Sequence, residues 1–182
     1  MISPANLLAL AINKLLITTP QRLAMNKIDW PKLLGSLAIT FGASWLGSSL
    51  TRPSIQGWYA NINRTGLTPP DWLFAPVWTT LFFLMAVALY IIWSGRNKKK
   101  TRKKAVQLYF GQLAANVAWS GIFFGLHSIG LAFIEIIFLL ILITYCLLAF
   151  SRINRAAGWL MFPYFLWVCF ATVLNLSLWL VN

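Results

Sequence analysis

Acidic side chains are almost absent from this 182-residue sequence: Asp29, Asp71 and Glu135 are all of them. No two sit close enough in sequence to suggest a carboxylate pair for acid–base catalysis. Histidine occurs once, at His127, and the two cysteines, Cys146 and Cys169, fall on different apolar segments. That leaves no metal-ligand cluster and too few thiols for a disulfide scaffold. His127 reads as a satisfied loop residue in preference to a haem ligand. No lysine follows Lys104 and none lies inside a long apolar segment, which argues against a retinal-type Schiff base. P-loop and GxSxG motifs are missing too.

Apolar residues are what the chain has instead. The hydrophobic set makes up 59% of it, charged residues only 10%, and the mean hydropathy is +0.73. Soluble domains run at about 45–50% apolar and about 25% charged, and a soluble protein of this size cannot hide the surplus. An aromatic content of 15%, with ten Trp, excludes disorder. The composition therefore predicts a polytopic membrane protein.

Five segments are long and apolar enough to span a bilayer, which takes roughly 20 residues: about Leu33–Leu50, Trp72–Ser94, Ala105–Phe124, Leu131–Phe150 and Trp159–Val181. Runs such as Ile134–Ile143 do not alternate, which favours helices over a barrel. The expected fold is an all-α bundle of five transmembrane helices.

The net charge of +12 raises the question of nucleic acid, but its distribution points to topology. Lys14, Arg22, Lys27 and Lys32 precede the first span. Arg96, Lys98, Lys99, Lys100, Arg102, Lys103 and Lys104 follow the second, and Arg152 and Arg155 follow the fourth. All of these fall on one side of the membrane, against only Arg52 and Arg64 on the other. The positive-inside rule then places the N-terminus inside and the C-terminus outside, and no nucleic acid partner is needed.

Residues 1–32 form a basic arm, in which Leu7–Ile17 is apolar but short and is interrupted by Lys14. It reads either as an interfacial helix or as a disordered arm. The first loop, Thr51–Asp71, is long for a connector and carries Pro53, Gly57, Gly66, Pro69 and Pro70. Such loops are often lids, and Trp58 and Tyr59 suit one that packs.

The third helix has two faces. Gly111, Ala114, Ala118, Gly121 and Gly125 form one stripe of small residues. It serves either as a close packing surface within the monomer or as a homodimer seam. Gln112, Asn116 and Trp119 lie opposite and are expected to face the bundle interior, for interhelical hydrogen bonds or a ligand cavity. Glu135 is the one carboxylate inside a span, about a turn from the interface, and a structural role is the preferred reading. Trp93, Trp159 and Trp179 fall at span ends, where an interfacial belt is expected. Trp78, Trp119 and Trp167 lie deeper, either as core or as flat walls for a planar apolar ligand. Pro163 interrupts the last helix and is expected to free a carbonyl and kink it.

Several motifs also carry a family resemblance. Trp58-Tyr59-Ala60 leads into Pro69-Pro70-Asp71-Trp72 and Pro76-Val77-Trp78. The third helix reads GQLAANVAWSGIFFG, followed by Leu126-His127-Ser128-Ile129-Gly130-Leu131-Ala132, and the last reads PYFLWVCFATVLN before Leu176-Ser177-Leu178-Trp179. From Leu33 to Asn182 the chain resembles the TspO/MBR family, the tryptophan-rich sensory proteins and translocator (peripheral benzodiazepine receptor) proteins.

That resemblance implies a five-helix, often dimeric, membrane bundle. Its cavity, beneath the first loop, takes porphyrins, haem-related tetrapyrroles and isoquinoline-type drugs. Carried over, the pocket falls on Trp78, Asn116, Trp119, Tyr164, Trp167 and Ala171, with Trp58, Tyr59, Pro69 and Pro70 in the lid. Glu135 fills the family's acidic position on the fourth helix. The mitochondrial members' steroid motif is lost at Leu176, Ser177 and Leu180, and Leu67 replaces a common lid aromatic. No cofactor is required; a porphyrin or haem is the expected ligand, with Arg52 or Arg64 meeting its propionates. The function implied is tetrapyrrole binding in sensing or regulation. The alternatives are light- and oxygen-dependent porphyrin breakdown, with Trp78 and Trp167 as the reactive indoles, and transport of tetrapyrroles or other small apolar ligands.

Overall fold

The computed structural model describes residues 28–95 and 99–182. The Leu7–Ile17 stretch, with Arg96 and Lys98 of the basic run, lies outside them. Five long helices make up the described chain: α1 (Trp30–Ser54), α2 (Asp71–Ser94), α3 (Lys99–Ser120), α4 (Ile129–Ile153) and α5 (Arg155–Val181). Two short π-helical turns extend them, Ile55–Tyr59 after α1 and Gly121–Gly125 after α3.

Local chemistry sets the helix starts. Asp29 caps α1, its carboxylate accepting from the Lys32 N–H at 3.2 Å. Pro31 occupies the first turn, where its missing N–H is not needed. Lys32 also reaches the carboxylate with its Nζ at 2.6 Å, and its hydrogen bonds hold the Asp29 carboxyl below the usual aspartate range. Between α4 and α5 there is one extended residue, Asn154, whose side chain caps α5 through the Ala157 N–H at 3.2 Å. So tight a reversal forces the two helices together at Gly158. A Cβ there would lie 3.0 Å from the Ser151 Cα and against its hydroxyl, so only glycine fits.

Neighbouring helices pack in the ring order α1, α2, α5, α4, α3 and back to α1. The core runs through the middle of this ring and includes Met85, Leu89 and Ile92 of α2, Tyr109 of α3, Ile143, Cys146 and Phe150 of α4, and Met161 and Tyr164 of α5. Tyr109 stacks on Phe150 and shares a hydrogen bond with Thr40 of α1 at 2.7 Å. This keeps a buried hydroxyl satisfied where water is scarce. The N-terminal end of α1 lies beside the C-terminal end of α2, where the Asp29 N–H donates to the Tyr90 hydroxyl at 3.1 Å.

Four helical stretches are long and apolar enough to cross a membrane: Trp30–Tyr59, Asp71–Ser94, Ile129–Ile153 and Arg155–Val181. The chain is an integral membrane protein. α3 is not among them: Lys99, Lys100, Arg102, Lys103 and Lys104 fill its first turns, and Gln107, Gln112 and Asn116 lower the hydropathy of the rest. Pro163 lies inside α5, which runs as one helix from Arg155 to Val181.

The first loop is much shorter than Thr51–Asp71. Helical structure continues through Pro53 and the π-turn as far as Asn61, leaving residues 62–70 as the connector. A proline removes one N–H but presents a helical φ, so the chain continues in the wider π-turn.

Candidate ligand-binding site

A cavity of about 470 Å³ opens in the half of the bundle nearest the first loop. That size is typical of small-molecule pockets. α2 supplies Phe74, Ala75, Trp78, Thr79 and Phe82, and α5 supplies Trp167, Val168, Phe170, Ala171, Leu174, Asn175 and Leu178. α3 contributes Asn116, Trp119 and Ser120, and α4 Ile136 and Leu139. Both π-turns border the space, one through Ile55 and Tyr59 and the other through Phe123 and Phe124. π-turns shift the register of a helix face, and here they bring aromatic rings to the cavity.

Trp78 and Trp167 meet edge to face, ring centroids 6.4 Å apart at 86°. Phe74 and Phe170 extend this wall, each against Trp167, at 6.1 and 5.6 Å. The polar groups are held in place. Asn116 Nδ2 donates to the Tyr164 hydroxyl at 3.1 Å. The Trp119 indole N–H donates to Asn175 Oδ1 at 3.1 Å, and Asn175 Nδ2 donates to the Ile129 carbonyl at 3.0 Å. Trp119 in turn stacks on Phe123, centroids 5.0 Å apart.

The structure thus brings Trp78, Asn116, Trp119, Trp167 and Ala171 together on one cavity. Tyr164 is not on the lining; it is fully buried and accepts the Asn116 hydrogen bond. Of the lid residues, Tyr59 lines the cavity, while Trp58, Pro69 and Pro70 do not. Trp58 instead stacks on His127, 4.7 Å between centroids. His127 Nε2 sits 3.1 Å from the Ser54 hydroxyl, which donates to the Phe124 carbonyl at 2.6 Å. His127 therefore fastens the end of α1 and its π-turn from outside the cavity.

The far end of the loop is fastened as well. Thr65 and Ser177 share a hydrogen bond at 3.1 Å, and Asn63 Nδ2 donates to the Val181 carbonyl at 3.1 Å. Arg64 bridges to Asp71 at 3.0 Å and lies over the Tyr59 ring at 4.7 Å. Leu67 is exposed.

Two other sequence features fall outside the cavity lining. Glu135 is half-buried, and its Oε2 has no hydrogen-bond partner among the described residues. In the small-residue stripe, Ala114, Ala118 and Gly125 are exposed. A methyl on Gly111 or Gly125 would meet nothing within 4 Å, while one on Gly121 would meet Leu50 at 3.6 Å. Packing within the monomer accounts for Gly121 alone.

The sequence reading missed one wall. Ser44, Gly47, Ser48 and Thr51 of α1 line the cavity, and Arg52, which the sequence did propose for ligand contact, and Ile55 of the π-turn continue the same face. Their spacing of three and four residues puts them on one helical face. Small and polar residues at that spacing were the available signal.

The TspO/MBR family model matches residues 36–180 of the chain. The tryptophan-rich protein TspO of Archaeoglobus fulgidus is 36% identical over 151 residues, covering 83% of this chain and 97% of that protein. The human translocator protein is 33% identical over 156 residues, covering 84% and 91%. The tryptophan-rich sensory protein of Cereibacter sphaeroides is 32% identical over 148 residues, covering 81% and 89%.

Proposed function

Because this chain belongs to the TspO/MBR family, we propose that it is a five-span membrane protein whose cavity binds a tetrapyrrole, porphyrin or haem, to sense or regulate its level. The observation that carries this reading is the Trp78–Trp167 wall, two flat indoles on a cavity that seven further aromatic residues also line. Planar apolar rings bind such walls by burial, at about 25 cal/mol per Å², and by ring contacts. Isoquinoline-type molecules share that chemistry. The names of the relatives, sensory protein and translocator protein, agree with a sensing or transport role.

The fifth span is α3 with its π-turn. From Ala105 to Gly125 it is uncharged, and its basic first turns lie at the headgroups. The basic end of the bundle faces inside, with the N-terminus, and the C-terminus faces outside. The open part of the α3 stripe fits a second copy of the chain.

A second reading is favoured by the same pair of indoles. Beside a porphyrin excited by light in the presence of oxygen, Trp78 and Trp167 are placed to donate electrons, which would make the protein a porphyrin-degrading enzyme. Illumination tests it: bleaching no faster than that of free porphyrin in detergent rules it out.

The binding reading is tested by thermal shift with protoporphyrin, haem and an isoquinoline carboxamide. A ligand of the native state raises Tm by mass action. A flat profile across all three removes the reading.

A further inference from the structure

The cavity lining is of two kinds. Besides the indoles of Trp78 and Trp167, it holds a polar strip of α1, Ser44, Ser48 and Thr51, with Arg52 at its end. The two arginines of this region are not equivalent. Arg64 Nη1 contacts both carboxylate oxygens of Asp71, at 3.0 and 3.3 Å, and its guanidinium covers the Tyr59 ring. Its charge is compensated and its position fixed. Asp71 is the one carboxylate on the lining, and Arg64 already occupies it.

Arg52 lines the same cavity and is exposed. Among the described residues no carboxylate pairs with it, since the two ion pairs are Lys32–Asp29 and Arg64–Asp71. The cavity lining thus carries one uncompensated positive charge. Resting on the tetrapyrrole reading, we infer that Arg52 selects for a ligand bearing carboxylates on one edge of a planar apolar body. The ring lies against Trp78 and Trp167, and its carboxylate edge meets the guanidinium. A planar guanidinium binds a carboxylate with two parallel hydrogen bonds. An esterified ring buries the same surface and loses those bonds.

The test titrates protoporphyrin IX and its dimethyl ester into the full-length protein in detergent, read by tryptophan fluorescence quenching. Wild type, Arg52→Gln and Arg52→Lys are compared. The wild type is expected to favour the diacid about tenfold, the scale of a hydrogen bond to a charged group. Arg52→Gln brings the diacid-over-ester ratio close to one, and Arg52→Lys keeps part of it. Were Arg52 only to complement the dipole at the end of α1, its loss would lower Tm and leave that ratio alone. Equal affinities in the wild type, or an unchanged ratio in Arg52→Gln, overturn the inference and leave porphyrin binding intact. Should neither porphyrin bind while an isoquinoline carboxamide still raises Tm, the tetrapyrrole reading falls and the inference with it.

Discussion

Asn63 and Asn182 hold each other across the first loop: the Asn63 backbone N–H donates to Asn182 Oδ1 at 2.8 Å, and Asn182 Nδ2 donates to the Asn63 carbonyl at 3.0 Å. Two residues 119 positions apart in the sequence thus fasten the first loop to the end of α5. Asn182→Ala removes both bonds. The expected outcome is severalfold faster hydrogen exchange at the amides of residues 62–68, with the α2 core amides unchanged. Equal exchange rates would show that Thr65–Ser177 and Arg64–Asp71 hold the loop without it.

Gly158 tests the helix packing. Gly158→Ala pushes a methyl into Ser151, 3.0 Å from its Cα, and α4 and α5 must part. Overpacking of this kind costs about 1–3 kcal/mol, and a lower Tm in detergent is expected. Gly111→Ala is the control: its methyl meets nothing within 4 Å, and alanine favours a helix by about 1 kcal/mol over glycine, so Tm should hold or rise.

Asn175 joins three elements through the Trp119 indole and the Ile129 carbonyl. Asn175→Leu keeps the volume and strands both partners in a site with little water. The cost is about 1–2 kcal/mol, in line with hydrogen bonds inside membrane bundles. Because Asn175 and Trp119 both line the cavity, ligand affinity should fall as Tm does.

The exposed α3 stripe gives a test of association. Ala118→Leu adds bulk to an exposed position and should shift cross-linked dimer to monomer with Tm unchanged. Persistence of the dimer would place any seam elsewhere.

Much of the fold was legible in the sequence because bilayer thickness turns hydropathy into helix length. The ends of the helices were less so. Pro53 read as part of the first loop, yet the helix continued past it into a π-turn, a geometry that no 3.6-residue pattern announces. Pro163 looked like an interruption, yet α5 continues through it as one helix. In the site, Trp78, Asn116 and Trp167 were reached both from their depth in the spans and through family motifs. The polar face of α1 was not, because Ser44, Ser48 and Thr51 are common helix residues in a membrane and matched no family motif. Nor does sequence separate Arg52 from Arg64; only the placement of Asp71 does that.

The central claim is that the Trp78–Trp167 wall binds a porphyrin. Protoporphyrin titration of Trp167→Ala, with Trp78→Ala beside it, addresses this most directly. Both variants should retain a cooperative thermal transition and bind protoporphyrin severalfold more weakly than the wild type. Wild-type affinity in a folded Trp167→Ala protein would contradict the account.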